Sequence, residues 1–326
     1  MSKFASALVA WQRRHGRRGL PWQGSRDPYR VWLSEVMLQQ TQVAAVIPYY
    51  ERFLASYPGI EALAGASEDE VLRLWSGLGY YARGRNLLRA AKEVAGQGQF
   101  PHTVEGISAL PGVGRSTAAA IAVFAFGRRA AILDGNVKRV LSRCYGISAE
   151  KDLWQRAERL LPEENLETYT QALMDLGSTV CLRGKPKCAA CPVSRQCVAR
   201  RQGRTHELPA PRARKPLPLK RATWFVYLHE GRVLLERRPS SGLWGGLWTF
   251  PEARVFEATK ARKLPPLEHG FTHFRLRAQP VVCPLAKLPP RAESPGRRWL
   301  DVDDALRAAI PVPVGKVLRS LVSGRS

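Results

Sequence analysis

Apolar residues recur at helical spacing along the first 200 positions, and the pattern changes to alternation beyond about position 220. Asp27 ahead of Pro28 predicts an N-cap followed by proline at the first helical position. The helix they open runs through Trp32, Leu33, Glu35, Val36 and Leu38 to about Thr41. Ser67 with Glu70 three residues later predicts a capping box and a second helix. Residues 116–126 are small and apolar and predict a helix suited to close burial. No alternation interrupts this half, so it reads as all-α. Between Val198 and Arg221 the periodicity stops: eight basic residues, one acid (Glu207) and four prolines predict a semi-extended linker over 201–221. Thr223–Leu228 and Arg232–Arg237 then predict strands joined by a turn at Glu230-Gly231. Phe271–Leu276 and Pro280–Cys283 predict further strands, and 301–308 and 314–322 helices. The chain is therefore multidomain, an all-α part followed by an α+β domain of ordinary size.

Composition narrows what such a chain can do. With 326 residues, 45% of them hydrophobic, it can bury real cores. The longest apolar run, Ala118–Phe126, is nine residues, against the roughly 20 that a membrane span needs. The stretch Phe4–Trp11 runs into Gln12-Arg13-Arg14 without a small-residue cleavage site, so no signal peptide is expected. Six cysteines are too few for a disulfide scaffold. The net charge is +24, and residues 201–326 hold 24 basic against 10 acidic residues. This balance points to a polyanionic partner.

Four of the cysteines have ligand spacing. Cys181, Cys188, Cys191 and Cys197 form Cys-x6-Cys-x2-Cys-x5-Cys, and Lys185-Pro186 and Cys191-Pro192 supply turns for wrapping one inorganic centre. Four Cys without His suit zinc or an iron–sulfur cluster. The presence of one Cys-x2-Cys knuckle rather than two favours the cluster. Arg183, Lys185 and Lys187 lie in the first cysteine loop, where a metal-fixed backbone would hold them for phosphate contacts.

A second motif is Leu110-Pro111-Gly112-Val113-Gly114-Arg115-Ser116, which opens the small-residue helix. Its glycines permit a tight turn, and the unsatisfied N–H groups of the helix start can bind a phosphate. Twenty residues after Gly114 stands Asp134-Gly135-Asn136-Val137-Lys138, in which Asp134 is also a plausible helix N-cap.

The hairpin, the following Asp and the cysteine loop, in this order, resemble the helix-hairpin-helix DNA glycosylases that carry an iron–sulfur cluster, over about residues 5–200. Two branches are distinguished at Ser116. The endonuclease III branch has a nucleophilic lysine there, and a serine hydroxyl cannot form the Schiff base that strand nicking needs. The adenine DNA glycosylase (MutY-like) branch is similar at Leu20-Pro21-Trp22, Val31–Gln42, Gly77–Arg83 and Met174-Asp175-Leu176-Gly177. The resemblance implies a 4Fe–4S cluster on the four cysteines. It also implies a cluster-bearing domain of residues 1–22 with 134–200, and a six-helix domain of 23–133. Removing adenine requires an acid to protonate the leaving base and a carboxylate to stabilise the sugar cation. The resemblance gives these roles to Glu35, among apolar neighbours that would raise its pKa, and to an ionised Asp134, with Asn136 as supporting donor. It implies that Tyr80 and Gln40 act as wedges when the base is extruded, and that Trp22, Gln23, Leu38 and Gln171 line the adenine pocket. Lys138 lies near the site without a catalytic role.

Ser240–Glu252 resembles the start of a Nudix box, with Gly246 and Glu252 in register, but Lys260-Ala261-Arg262-Lys263 stands where the metal-binding glutamates belong. Residues 222–326 are therefore expected to keep a Nudix-like fold without hydrolysis. In this branch the domain reads 8-oxoguanine opposite the adenine, and Phe271-Thr272-His273 matches its Phe-Ser-His loop with the hydroxyl retained. The expectation is a monofunctional, monomeric adenine glycosylase on double-stranded DNA with A:8-oxoguanine or A:G mispairs, cytoplasmic and nucleoid-associated if bacterial. Its rivals are a bifunctional pyrimidine-lesion glycosylase, a non-catalytic cluster-bearing DNA binder and a nucleotide hydrolase.

Overall fold

The Asp27 carboxylate accepts from the backbone N–H of Tyr29 and Arg30 at 2.9 and 3.4 Å, with Pro28 at the first helical position. This cap starts one of the helices of a computed structural model that describes residues 1–210, 216–258, 260–288 and 294–323. The chain forms two compact units, Met1–Ala64 with Arg89–Ala213, and Gly65–Leu88 with Arg214–Ser326.

The first unit begins with α1 (Lys3–His15), α2 (Pro28–Leu38), α3 (Val43–Ser56) and α4 (Ile60–Ala64). The helix expected to reach Thr41 ends at Leu38, because Gln39 and then Gln40, at φ +58°, leave helical geometry. Next come α5 (Glu68–Trp75), which belongs to the second unit and carries the expected Ser67–Glu70 capping box, and α6 (Ala82–Gln97). α7 (Val104–Ala109) and α8 (Arg115–Phe126) form the hairpin. Ala118 to Val123 of α8 are all buried, and the small side chains let α8 pack on both α2 and α7. α9 (Gly135–Tyr145), α10 (Glu150–Leu160) and α11 (Leu166–Asp175) follow, and α11 packs along α1. α11 runs on into a π-helical turn, Leu176–Val180, and the cysteine loop ends at the short α12 (Val198–Arg201). Phe4, Leu8, Val137, Leu141, Tyr169 and Leu173 share one apolar core.

In the second unit β1 (Leu219–His229) and β2 (Arg232–Arg237) form the expected hairpin. β3 (Trp248–Thr249), β4 (Arg262–Lys263), β5 (Leu267–Gly270), β6 (Arg275–Pro284) and β7 (Arg297–Asp301) complete a mixed sheet among the described residues. β1 runs parallel to β6, from Leu219 opposite Arg275 to Leu228 opposite Pro284. Leu276, Ala278 and Val282 of β6 are buried while Arg275 and Arg277 are exposed, the alternation of a sheet with one wet face. α13 (Val302–Arg307) and α14 (Val312–Ser323) pack on each other. The two strands expected at 271–276 and 280–283 are one strand, which starts only at Arg275. Phe271–Phe274 instead close a turn, with Phe271 N donating to Phe274 O at 2.8 Å and the two rings stacked 4.5 Å apart. Of the expected linker, 211–215 lie outside the described residues and 219–221 already belong to β1. No helix among the described residues is long and apolar enough to cross a membrane.

Candidate active site

α2, the α7–α8 hairpin, the start of α9 and the end of α11 surround a cavity of about 1880 Å³ in the first unit. It collects Trp22, Gln23, Glu35, Leu38, Gln40, Gly114, Ser116, Asp134, Asn136, Lys138, Gln171 and Arg183, residues up to about 160 positions apart in the chain. Gly112 is not on its wall but in the hairpin turn, at φ +78°, where a side chain would be strained. Lys185 and Lys187 are exposed on the cysteine loop. Tyr80 and Phe271-Thr272-His273 belong to the second unit.

Glu35 projects from α2 and is half-buried, with no hydrogen-bond partner for its carboxyl among the described residues. Burial and, after it, the nearby Asp134 carboxylate push it up to about 8. Asp134 caps α9: its Oδ1 accepts from the backbone N–H of Asn136 and Val137 at 2.9 and 2.7 Å. Burial raises its carboxyl, and the two backbone donors, the Arg139 charge and the Asn136 side chain hold it back. The sequence displayed the cations but not the burial. The pair thus divides its environment: Asp134 has donors directed at it and Glu35 has none.

Asn136 also accepts through Oδ1 from Arg139 Nη2 at 2.8 Å. The same guanidinium donates to Gly177 O and to Cys181 O, both at 2.6 Å. This close approach explains Gly177. A Cβ there would sit 2.6 Å from Asn136 Cβ and 3.0 Å from its backbone, so only glycine lets the π-helical turn lie on the start of α9.

Other residues already have structural partners. Ser116 Oγ accepts from Leu133 N at 2.9 Å. Gln23 uses both ends of its amide, Nε2 donating to Arg17 O and Oε1 accepting from Leu20 N. Trp22 lies edge-on to Tyr50 with ring centroids 5.3 Å apart. Lys138 pairs with Glu150. Sequence reasoning missed Asp175 as a site residue. It is fully buried and accepts from Gln12, Arg17 and Gln171, all on the cavity wall. The available signal was an acid inside the apolar run Leu173-Met174-Asp175-Leu176.

Cys181, Cys188, Cys191 and Cys197 line one small cavity beside Arg143, Lys187 and Arg200. Arg143, itself buried, donates to Cys181 Sγ at 3.4 Å and to Leu182 O at 2.7 Å. Four soft sulfur donors lining one apolar space, with cations beside it, fit an anionic iron–sulfur cluster in kind. As they stand, no three His, Cys, Asp or Glu side chains among the described residues converge closely enough to hold a metal ion.

In the second unit Thr272 and His273 are exposed at the tip of the Phe271–Phe274 turn. Trp244 and His269 pack beneath it, 5.5 and 4.7 Å from the Phe271 ring. Glu252, the one Nudix-type carboxylate retained, pairs with Arg238 Nη1 at 2.9 Å. No helix forms among the described residues between it and β4.

Residues 33–163 match the HhH-GPD superfamily of base excision DNA repair proteins, and residues 223–320 match the NUDIX domain. The chain is 35% identical to an adenine DNA glycosylase of Buchnera aphidicola (from Acyrthosiphon pisum), covering 97% of both chains. It is 34% identical to the human adenine DNA glycosylase, covering 98% of this chain and 74% of that one. Among solved structures, a thermostable thymine-DNA glycosylase is similar at 32% identity and TM-score 0.57, over 61% of this chain and 95% of that one.

Proposed function

The chain belongs to the adenine DNA glycosylase family and is a DNA N-glycosylase of base-excision repair, and from that premise we propose that it removes adenine mispaired with 8-oxoguanine or guanine, without nicking the strand. The observation that carries this is the carboxyl pair on one cavity wall, with Glu35 pushed up to about 8 and unpartnered while Asp134 is held by backbone donors.

The adenine nucleotide leaves the stack and enters the cavity, with Tyr80 and Gln40 acting as wedges on the side of the orphaned partner base. Trp22, Leu38, Gln23 and Gln171 enclose the base. Glu35 gives its proton to a ring nitrogen of adenine as the N-glycosidic bond breaks and the bonding pair leaves with the base. Positive charge develops at C1′ of the sugar, and Asp134 with Asn136 stabilises it until water adds there and loses a proton. Ser116, engaged as an acceptor, offers no amine for a Schiff base, so the product is an intact strand with an abasic site.

Around this chemistry the domains divide the work. Residues 23–133 hold the hairpin and 1–22 with 134–200 carry the cluster. Residues 201–221 link these to 222–326, which read the base opposite adenine through Phe271, Thr272 and His273. Cys181, Cys188, Cys191 and Cys197 would hold a 4Fe–4S cluster, around which the loop would wrap and be held in place. Gly112, Gly114, Lys138, Arg183, Lys185 and Lys187 contact phosphates. The enzyme acts as a monomer on double-stranded DNA, in the cytoplasm and nucleoid if bacterial.

A single-turnover assay tests this on four duplexes: adenine opposite 8-oxoguanine, guanine or thymine, and an oxidised thymine opposite adenine. Adenine loss from the first two, with strand breaks only after hot alkali, is expected. Release of the oxidised thymine with spontaneous nicking would move the chain to the bifunctional branch.

A further inference from the structure

The most heavily hydrogen-bonded side chain near the cavity is one that does not line it. Asp175, the last residue of α11, is fully buried. Its Oδ2 accepts from Gln12 Nε2 at 3.0 Å and Arg17 N at 2.8 Å. Its Oδ1 accepts from Arg17 Nε and Nη2 at 2.8 and 2.6 Å and from Gln171 Nε2 at 2.8 Å. An ionised carboxylate has about four lone-pair sites, and five donors converge on this one. Such a group accepts and never donates, so it dictates which end of each glutamine amide faces it.

The consequence falls on Gln171. It stands one helical turn before Asp175, is half-buried, and forms part of the cavity wall. With its NH2 turned to Asp175, its carbonyl Oε1 is left without a partner among the described residues. A free glutamine amide can flip and offer a donor or an acceptor equally well; this one cannot. The amide's acceptor end is therefore fixed away from Asp175, on a side chain that lines the cavity. Adenine carries a matching donor in its 6-amino group. Hypoxanthine carries a carbonyl at the same position, and unsubstituted purine carries neither.

We infer that Asp175 is a positioning residue that sets base specificity: it locks the Gln171 amide so that its carbonyl faces the cavity and selects a purine bearing a 6-amino group. This rests on the reading of the cavity as the adenine site. Arg17 and Gln12 serve the same lock, Arg17 by neutralising the buried carboxylate and Gln12 by filling its second oxygen. Gly16 gives Gln12 room, since a Cβ there would lie 2.2 Å from the Gln12 amide carbon.

The test compares single-turnover release of adenine and of unsubstituted purine, each opposite 8-oxoguanine, by the full-length protein. Dividing each variant's rate ratio by the wild-type ratio cancels the intrinsic difference in leaving ability. Asp175→Asn, whose amide can donate as well as accept, should lower the adenine-over-purine ratio about tenfold, the worth of one neutral hydrogen bond. Combining it with Gln171→Leu should lower the ratio no further than Gln171→Leu alone. A merely structural role would slow both substrates equally, and an unchanged ratio overturns the inference, as does a further fall in the double variant. Should Asp175→Asn not fold, the wild-type protein carries the test. One N–H of the Gln171 side-chain amide should be protected from hydrogen exchange, and exchange at the rate of a free glutamine overturns the lock. If the wild type releases no adenine at all, it is the functional reading that fails, a result separate from any of these.

Discussion

A carboxyl group that must carry a proton near neutral pH has to be kept from water and from cations. Glu35 goes part of the way, half-buried among apolar residues of α2: burial raises it to about 8, Asp134 adds to the rise, and no donor among the described residues opposes it. Acting as an acid, it is competent below that value, so excision should fall as pH rises through about 8. Single-turnover rates across pH 6–10 check the sign; a rate that climbs through this window would remove Glu35 from the acid role. Glu35→Gln should slow excision by about 10²–10⁴-fold, the usual worth of a general acid, with lesion-DNA binding retained in a gel-shift titration. The same burial has a cost in stability. Between the ordinary glutamate range and about 8 the folded state holds a proton that the unfolded state has released, so stability falls as pH rises through that window. Glu35→Gln removes the cost. Its Tm should equal or exceed that of the wild type at pH 8, with the gap narrowing toward pH 5.

Elements meet at the site because two of them approach more closely than side chains allow. The start of α9 and the π-helical turn after α11 touch at Gly177, and Arg139 ties them together through Asn136, Gly177 and Cys181. Gly177→Ala must displace Asn136 backbone, not the tip of a flexible chain. It should therefore destabilise by about 1–3 kcal/mol, the range for overpacking, and slow excision as Asp134 and Asn136 move. Thermal denaturation and single-turnover rates check both; wild-type values in both would show that the turn can yield. In the second unit the corresponding element is the turn at Phe271–Phe274, held on stacked rings, which leaves Thr272 and His273 exposed.

Across the whole molecule the charge of +24 dominates encounter with DNA. With about 6–10 phosphate contacts, affinity for undamaged duplex should fall by roughly 10³–10⁵ between 50 and 200 mM salt. A flat response in fluorescence anisotropy would contradict the polyanion reading. Ending the chain after Ala210 removes most of the second unit. Some activity on A:G pairs should survive, while the preference for 8-oxoguanine over guanine falls; undiminished discrimination would show that Phe271-Thr272-His273 is not the reader.

Much of this was determined by the sequence alone. Caps at Asp27 and Ser67, the small-residue α8, the change to alternation and the cysteine spacing are local patterns. Local backbone and side-chain chemistry is enough to produce them. They carried the two-part architecture and the resemblance that brought Glu35 and Asp134 forward. What they could not carry was anything set by neighbours distant in the chain. Burial of Asp134 against its cations, the bend that turns Phe271–Phe274 out of a strand, the contact that demands glycine at 177 and the five donors around Asp175 all join separated segments. Desolvation and hydrogen-bond direction exist only once those segments are packed. The sequence named the groups, and only the tertiary structure decided which of them are buried, braced or open to the cavity.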